Sequence, residues 1–316
     1  MRLFYYLMLF LSFLVHVDAA PATDDAALGI STTSAVTGIY FETATRTMPD
    51  MQAGITPADY NMDLFLWTSR NKLTEFLLQT TPVLSDGLGN TIPLVYSYTS
   101  IASGTTISIL NNTWITLVPN GDPSHRDGVT SPGFITISTG PIPANQIAGT
   151  YTTGAIPVDV IMNGLTSTAP GFITLNTTVT EFIVIGFADT SADSGGIKFV
   201  GEDILFGSLT PGVAITPITK DVFVHTNRDA DIQITFADTP PLLSAVDGTT
   251  TLPVTYSYSL NSVSANVTAG VPFVAFSGAN DGTTSVGSIT FAPDTPTMLQ
   301  TSGGYSATVN VVVSAM

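Results

Sequence analysis

The feature that most constrains the fold of this chain is a stretch that it carries twice. The earlier copy has Thr-Thr-Pro ending at Pro82 and Ile-Pro-Leu-Val-Tyr-Ser-Tyr ending at Tyr98. The later copy has Ala-Asp-Thr-Pro ending at Pro240 and Leu-Pro-Val-Thr-Tyr-Ser-Tyr ending at Tyr258. The prolines lie 158 positions apart and the tyrosines 160, so a short insertion separates the two anchors. A self-match at two separated anchors indicates a duplicated domain.

The composition excludes several classes of protein. The chain has 316 residues, a formal net charge of −16, eight lysines and arginines together and no cysteine. So acidic a chain lacks the basic surface with which proteins bind nucleic acid or anionic lipid, and we expect no nucleic-acid partner. Its 44% hydrophobic residues suffice to bury a core, which argues against disorder. The length suits two domains of ordinary size.

The N-terminus indicates export. Arg2 precedes an apolar run over residues 3–17, and Val17 and Ala19 stand where a signal peptidase reads small residues. The run is shorter than the ~20 residues of a membrane-spanning helix, although a retained membrane anchor is the alternative. We therefore predict a signal peptide over residues 1–19 and no membrane insertion after its removal. An exported chain without cysteine must be stabilised by large cores or by assembly with partners.

Strand patterns cover the remainder of the chain. The final run, residues 305–313, alternates apolar and polar side chains with one break, which is typical of a strand with one buried face. No segment keeps a helical period, although residues 73–79 could also form a helical turn. Roughly seven short strands recur in each half, the pattern of an immunoglobulin-like sandwich, and other Greek-key sandwiches fit it as well. The predicted class is all-β, with two tandem immunoglobulin-like β-sandwiches.

The runs that precede the two domains also align. An offset of 143 places Ile173 on Ile30 and Val179 on Val36. This alignment makes each run a separate segment in front of its domain. The predicted boundaries are a signal peptide over 1–19, an N-terminal extension over 20–43, a first domain over 44–165, a linker over 166–188 and a second domain over 189–316.

Four motifs of the second half carry a resemblance to a known family. They are Val-His-Thr-Asn at 224–227, Phe-Ala-Asp-Thr-Pro-Pro-Leu at 236–242, Leu-Pro-Val at 252–254 and Gly-Tyr-Ser-Ala-Thr-Val at 304–309. With them the chain resembles the major pilins of class 5 fimbriae, the colonisation-factor-antigen type that the alternate chaperone-usher pathway assembles. The likeness covers about residues 171 to 316 well and, through the repeat, residues 29–162 more weakly. The shaft subunits of that family are usually single domains, whereas this chain carries two in tandem.

The resemblance implies that each sandwich lacks one edge strand. A groove and a row of backbone groups are then left open, and the N-terminal extension of a neighbouring subunit fills them as a donor strand. The candidate donor to a neighbouring subunit consists of Ile30, Thr32, Ser34 and Val36. The candidate internal donor, which would complete the first domain within the same chain, consists of Ile173, Leu175, Thr177 and Val179. An ordinary first strand of its own domain is the alternative for residues 30–41.

The resemblance further implies a structural subunit of a cell-surface fimbria. Such a subunit would polymerise head to tail with copies of itself by donor-strand complementation and support adhesion or biofilm formation. A tip or minor adhesin of the same system, binding a host glycan or protein, is the alternative. Because a tip subunit has no neighbour to complement, a donor segment at residues 30–41 would favour the shaft. A periplasmic chaperone, an outer-membrane usher and a separate tip adhesin are the implied partners, and the protein would reach the cell surface through the periplasm.

Catalytic and metal sites find little support in the sequence. The histidines of the mature chain are His125, in a polar loop, and His225, at a strand end, and no nucleophile elbow or phosphate loop is present. We therefore expect no enzymatic activity and no cofactor, although a secreted enzyme or another sandwich-type surface protein remains the third class. Trp67, Arg70 and Trp114 could form a platform on which a sugar stacks, although aromatic residues in strands more often belong to a core.

Overall fold

Strands make up all the regular structure of the described chain. The computed structural model describes residues 24–31, 37–122, 128–187, 196–279 and 284–316. Every regular element within these ranges is a β-strand, which confirms the all-β prediction. Residues Thr74–Leu78 form a strand rather than the helical turn that was the alternative. The same ranges contain no helix that is long and apolar enough to cross a membrane.

The strands of the first half form two sheets around one core, and we call this half the first unit. In chain order they are β1 (Ala26–Gly29), β2 (Ile39–Phe41), β3 (Ala44–Thr47), β4 (Met51–Gln52), β5 (Tyr60–Thr68), β6 (Thr74–Leu78), β7 (Leu84–Ser85), β8 (Thr91–Ile92), β9 (Leu94–Ser100), β10 (Thr106–Ser108), β11 (Ile115–Val118), β12 (Thr130–Thr139), β13 (Gly149–Met162), β14 (Leu165–Thr166) and β15 (Gly171–Thr180). One sheet has the order β10-β9-β12-β5-β1-β2. The other has the order β11-β6-β13-β15-β3, with β4 added to β15, β7 and β14 added to β13, and β8 to β7.

Alternation along the strands builds the core of the first unit. On β5, Met62, Leu64 and Leu66 are buried, while the residues between them are more exposed. These side chains share one apolar cluster with Phe76 from the second sheet. The ring of Phe76 packs edge-on against that of Tyr98, with 5.9 Å between the ring centroids. Burial of these large side chains stabilises a chain that has no disulfide to hold it.

The second half forms a second unit around a core of its own. Its strands are β16 (Ile183–Gly186), β17 (Ile197–Val200), β18 (Ile218–Thr226), β19 (Asp231–Phe236), β20 (Leu242–Ser244), β21 (Thr251–Leu252), β22 (Val254–Leu260), β23 (Val263–Asn266), β24 (Phe273–Ser277), β25 (Thr284–Pro293), β26 (Tyr305–Ser306) and β27 (Val311–Ala315). A six-stranded sheet has the order β17-β16-β18-β25-β22-β23, and two three-stranded sheets have the orders β24-β19-β27 and β21-β20-β26. Side chains from the six-stranded sheet and from β19 share one apolar cluster.

Repeated residues occupy matching places in the two units. Tyr96 and Tyr256 are both buried, and their hydroxyls donate to the carbonyls of Pro82 at 3.0 Å and of Pro240 at 2.7 Å. The tyrosines that begin the last part of each unit, in β13 and β26, each donate to a carbonyl four residues upstream at 2.8 Å. The anchors found in the sequence therefore mark equivalent structural positions.

The opening strands correct part of the alignment between the two units. β1 pairs in parallel with β2, as β16 does with β17, and each is antiparallel to the next long strand, β5 or β18. Ala26 thus corresponds to Ile183, an offset of 157, and Ile39 to Ile197, an offset of 158. The offset of 143 is wrong because it matches Ile30, which follows β1, with β15, which precedes β16.

The two units adjoin closely. β15 ends at Thr180, and Glu181 and Phe182 separate it from β16. The side chain of Asn227 accepts a hydrogen bond from the N–H of Phe182 at 2.9 Å and donates one to the carbonyl of Thr180 at 2.9 Å. The carbonyl of Asn227 accepts from the N–H of Ala148 in the first unit at 3.0 Å. These bonds tie the start of the second unit to the end of the first.

Candidate functional site

The last part of the second unit has a partner strand on one side only among the described residues. In the first unit, β13 lies between β6 and β15. Its counterpart β27 pairs with β19, which is the counterpart of β6. β15 pairs with Gly149–Val158 of β13, which correspond to residues 303–311, that is, β26 and the start of β27. In the equivalent place beside residues 303–311, the described residues contain no strand. The second unit is therefore a sandwich with an open edge.

The burial of side chains reflects this open edge. Pairing with β6 and with β19 makes Val158 equivalent to Val311 and Val160 equivalent to Val313. Val158 and Val160 are each 0% exposed, whereas Val311 and Val313 are only half-buried. Val158, which pairs with β15, is thus more deeply buried than its equivalent Val311, which has no such neighbour among the described residues.

A groove with a volume of about 440 Å³ runs along this edge. Its floor is aromatic and its two walls are residues 201–206 and residues 305–311. The ring of Phe291 in the floor packs edge-on against Phe187 at 5.9 Å and against Tyr256 at 5.7 Å between centroids. The floor is therefore a packed apolar surface rather than a set of isolated rings.

One wall is a segment without strand structure. Residues 201–206 follow β17 and correspond, at the offset of 158, to residues 43–48 of the first unit. There β3 forms against β15, which is its sheet neighbour. In the second unit the equivalent residues form no strand, and Leu205 is 79% exposed. Because the described residues place no strand beside residues 303–311, residues 201–206 have no sheet neighbour, and the gap between these two segments forms the groove.

The other wall presents backbone groups. The N–H of Ala237 donates to the carbonyl of Asn310 at 2.8 Å, and the N–H of Met316 donates to the carbonyl of Asp231 at 3.0 Å. The even-numbered residues of this strand therefore direct their backbone groups towards β19. Because backbone groups alternate in direction along an antiparallel strand, those of Val309 and Val311, which line the groove, point into it.

A backbone bridge closes one end of the groove. The N–H of Leu209 donates to the carbonyl of Gly303 at 3.0 Å, and the N–H of Gly303 donates to the carbonyl of Leu209 at 3.2 Å. The side chain of Leu209 is buried against Leu242 and Leu252. The groove is therefore open beside β27 and closed at the end near β26.

Hydrogen bonds hold the polar groups around the groove. Burial, with a smaller effect from the charge of Asp238, raises the pKa of Tyr256 to about 12. Beyond the closed end, the hydroxyl and the N–H of Thr250 and the N–H of Thr249 donate to Asp247 and hold the pKa of this carboxyl well below its usual range. These groups fix the turns around the groove.

The lining of the groove matches an extended peptide. The described residues hold no cluster of three or more His, Asp or Glu side chains that could bind a metal ion. At the rim, Glu202 forms an ion pair with Lys220. An apolar cleft beside a row of backbone donors and acceptors can add a strand, whose backbone extends the sheet and whose alternate side chains enter the cleft.

Strand β15 carries the residues predicted as the internal donor. Ile173, Leu175, Thr177 and Val179 are each 1% exposed or less, and the three apolar members belong to the core of the first unit. β15 runs antiparallel to β13 and parallel to β3 and β4. The hydroxyl of Thr177 donates to the carbonyl of Pro49 at 2.8 Å, so the polar member of the set has a partner.

The residues predicted to enter a neighbouring subunit are placed differently. Ile30 is 3% exposed in the core of its own unit, and its carbonyl accepts a hydrogen bond from the side chain of Arg46. Thr32, Ser34 and Val36 lie outside the described residues. The placement of Ile30 fits the alternative of an ordinary strand segment of its own domain and is at odds with donation to a neighbour.

The structure does not assemble the predicted sugar platform. Trp67 is half-buried on β5, opposite Ala27 of β1. Arg70 follows that strand and forms an ion pair with Asp24 at 3.2 Å. Trp114 precedes β11 at the edge of the other sheet. Trp67 therefore lies on one sheet, and Trp114 lies next to an edge strand of the other sheet.

His225 is the histidine of the mature chain that lies within the described residues. His225 is 3% exposed, and its ring packs edge-on against that of Phe182 with 4.7 Å between centroids. It is thus a buried residue of the junction between the units. His125 lies outside the described residues.

Sequence reasoning missed the walls of the groove. Residues 201–206 show no alternation that would single them out, and the strand pattern at 305–313 indicated a buried face rather than an open edge. The offset of 158 could have found the first wall, because it places residues 201–206 on the segment that contains β3. Which of the two copies has a partner strand is a property of pairing and not of local pattern.

Comparisons with known proteins return structural similarity alone. No family model matches the chain, and no curated protein matches it. The chain is similar to a chaperone–tip subunit pre-assembly complex, CsuC–CsuE of the archaic Csu pili of Acinetobacter baumannii, with 13% identity over 86% of this chain and 98% of that chain and a TM-score of 0.46. It is also similar to the CooA pilin subunit of enterotoxigenic Escherichia coli, with 17% identity over 49% of this chain and 98% of that chain and a TM-score of 0.35. CfaE, the adhesive subunit of CFA/I fimbria of enterotoxigenic Escherichia coli, has 12% identity over 87% of this chain and 98% of that chain and a TM-score of 0.33.

Proposed function

We propose that this protein is a two-domain subunit of a cell-surface fimbria, and that the groove of its second unit receives an extended strand from another subunit. One observation carries the proposal. β15 pairs with Gly149–Val158 of β13, whereas the described residues place no strand in the equivalent position beside residues 303–311, which include β26 and the start of β27. The way in which β15 fills this position in the first unit therefore indicates how a strand could fill the open position in the second unit.

In this proposal β15 is the internal donor strand of the first unit. It follows β13 along the chain and pairs with it in antiparallel register from Gly149 to Val158. Its inward residues, Ile173, Leu175, Thr177 and Val179, supply the side chains that a strand from outside would supply to the second unit. The first unit is complete within one chain, and the second is completed on assembly.

Strand insertion should contribute much of the stability of the second unit. Fully burying a Val, Leu or Ile side chain contributes about 1.5–3 kcal/mol, so a few inward side chains together contribute on the order of 10 kcal/mol. That is comparable to the net stability of a whole domain, about 5–15 kcal/mol. Before assembly the open edge therefore needs a cover, and we propose a periplasmic chaperone, with an outer-membrane usher, as partners.

The opening strands favour a tip or minor subunit over a shaft subunit. A shaft subunit also donates a strand, which would precede the first unit as β15 precedes β16. Of the residues predicted to be donated to a neighbour, Ile30 is instead buried in the core of its own unit, 3% exposed. We therefore place the subunit where it accepts a strand without donating one.

A self-complemented chain tests the groove. Residues 163–180, which form the turn after β13 and then β15, are appended after Met316 so that they can fold back along β27. We expect the melting temperature of the second unit to rise by more than ~10 °C, because the appended strand covers the apolar floor. The control carries the same segment with serine in place of its copies of Ile173, Leu175 and Val179. A rise in melting temperature no larger than that of the control would contradict the proposal that the groove receives a strand.

Self-association separates the two fimbrial roles. We expect the mature chain to be monomeric by light scattering under conditions where its second unit is folded. Head-to-tail oligomers that grow with concentration, and that disappear when residues 163–180 are appended, would instead support a shaft subunit. In that case the groove proposal stands and the tip placement is wrong.

A further inference from the structure

The closed end of the groove has an open counterpart in the first unit. Leu209 corresponds to Met51 at the offset of 158, and Gly303 to Gly149 at the offset of 154. In the first unit Val179 lies between the two, paired with Gly149 on one side and with Met51 on the other. In the second unit Leu209 and Gly303 bond directly to each other, at 3.0 Å and 3.2 Å. The bridge therefore fills the place of the last inward residue of a docked strand.

We propose that the Leu209–Gly303 bridge is a latch, which a docking strand must displace before it can occupy the whole groove. This inference rests on the proposed function, because it concerns the strand that enters beside β27. The occupant is an extended segment of another subunit that runs antiparallel to β27, as β15 runs antiparallel to β13.

The latch can open while its own anchors stay in place. Leu209 is 4% exposed and its counterpart Met51 is 2% exposed, so this side chain position is buried whether or not a strand is present. Gly303 has a φ of 139° and Gly149 a φ of 149°, so the backbone conformation at this glycine is also the same in both units. The N–H and carbonyl groups that leave the bridge can bond to the backbone of the inserted strand. Displacing the bridge thus replaces its two hydrogen bonds with hydrogen bonds to the inserted strand, so no buried backbone group is left without a partner.

The position of the latch gives docking an order. β15 begins beside Val158 and ends beside Gly149, so the end of a donor strand that leads into its own subunit is the end that meets the latch. The strand can therefore pair along residues 305–311, which line the groove, while the latch is closed. Opening of the latch then lets the globular part of the partner approach, as Phe182 approaches Ala53 at the junction of the two units.

A disulfide across the latch tests this order. In the antiparallel bridge Thr210 lies opposite Ser302, and both residues are exposed. The double variant Thr210→Cys, Ser302→Cys can form a cross-link between facing residues of neighbouring strands, in a chain without other cysteines. It is combined with the appended segment 163–180, and the melting temperature is measured in the oxidised and the reduced forms.

We expect the appended strand to raise the melting temperature fully in the reduced form and to lose most of that effect in the oxidised form. A matched segment that ends at Thr178, residues 163–178, stops short of the latch, and its effect should be equal in both forms. This segment also shows that the cross-linked chain folds. An equal rise in melting temperature with the full strand in both forms would contradict the latch proposal but leave the groove proposal standing. If neither strand raised the melting temperature in the reduced form, both the groove proposal and the latch proposal would be wrong.

Discussion

Two tyrosine hydroxyls explain why the Thr-Pro and Tyr-Ser-Tyr motifs recur together. Tyr96 donates to the carbonyl of Pro82, and Tyr256 donates to the carbonyl of Pro240. A buried hydroxyl without a partner costs free energy, so the proline and the tyrosine positions constrain each other. The spacing predicted that both motifs belong to one unit. It could not predict the bond, because the bond depends on how the turn between the motifs folds back.

Alkaline pH should destabilise the fold through buried tyrosines. Burial raises the pKa of Tyr98 and that of Tyr256 from 10.0 to about 12. Below a pH of about 10 both hydroxyls are protonated in the folded and the unfolded chain, so their contribution to stability is fully present. As the pH rises from about 10 to about 12, the unfolded chain ionises first and stability is lost. We expect the free energy of unfolding, measured by urea titration at each pH, to fall over this window.

Two variants identify the group responsible. Tyr256→Phe removes one ionising hydroxyl and should reduce the fall, at a cost of about 1 kcal/mol at neutral pH because the carbonyl of Pro240 loses its donor. Tyr258→Phe is the matched control, since this half-buried ring keeps its stacking on Phe273, at 4.1 Å between centroids. An alkaline fall in Tyr256→Phe as steep as in the unchanged chain would contradict the explanation.

At the scale of the element, β15 shows what the sequence could and could not predict. The alternation of Ile173, Leu175, Thr177 and Val179 predicted a strand with one buried face, and the structure has this strand. The alignment of β15 with Ile30 failed because alternate apolar residues fit any strand against any other. The correct correspondence came from the pairing of β1 with β2 and of β16 with β17, which is a contact between elements.

The candidate site, like β15, could be predicted from the sequence only in part. The resemblance implied a groove in the second unit, but the sequence could not locate its wall at residues 201–206, because a strand pattern forms there only when a neighbour is present. In the first unit the equivalent residues pair with β15 from Ala44 to Thr47. Local pattern therefore predicts strands, and pairing decides which edges stay open.

A charge on the inward face of β15 should unfold the first unit selectively. In Val179→Asp the carboxylate would lie between Met51 and Gly149 with no partner, and burying an unpaired charge costs several kcal/mol. We expect the calorimetric transition of the first unit to move to a markedly lower temperature. Thr178→Asp is the control, because Thr178 is exposed on the other face of the strand. Equal melting of the two variants would mean that β15 does not complete the first unit.

For the whole molecule, the junction decides whether two units behave as one body. The side chain of Asn227 bonds to both Thr180 and Phe182, and its carbonyl bonds to Ala148 of the first unit. Ala53 packs with Phe182 beside these bonds. The single side chain of Asn227 thus links the end of β15 to the start of β16.

Removing that side chain should loosen the pair while each core stays folded. In Asn227→Ala the N–H of Phe182 and the carbonyl of Thr180 lose their partners, at a cost of about 1–3 kcal/mol for each buried group. We expect the maximum dimension from small-angle scattering to broaden, with little change in circular dichroism. Arg228→Ala is the control, because its ion pair with Glu181, at 3.6 Å, is partly exposed and contributes little. An unchanged scattering curve for Asn227→Ala would show that other contacts hold the junction.

The short step from β15 to β16 also determines how the molecule bears a load. A pull on the second unit passes through Glu181 and Phe182 directly into the end of β15. It acts along the strand, whose hydrogen bonds to β13 on one side and to β3 and β4 on the other lie across the direction of the pull. Those bonds are then strained in shear and must fail together rather than one after another. The first unit is built as a mechanical clamp on the strand that tethers the second.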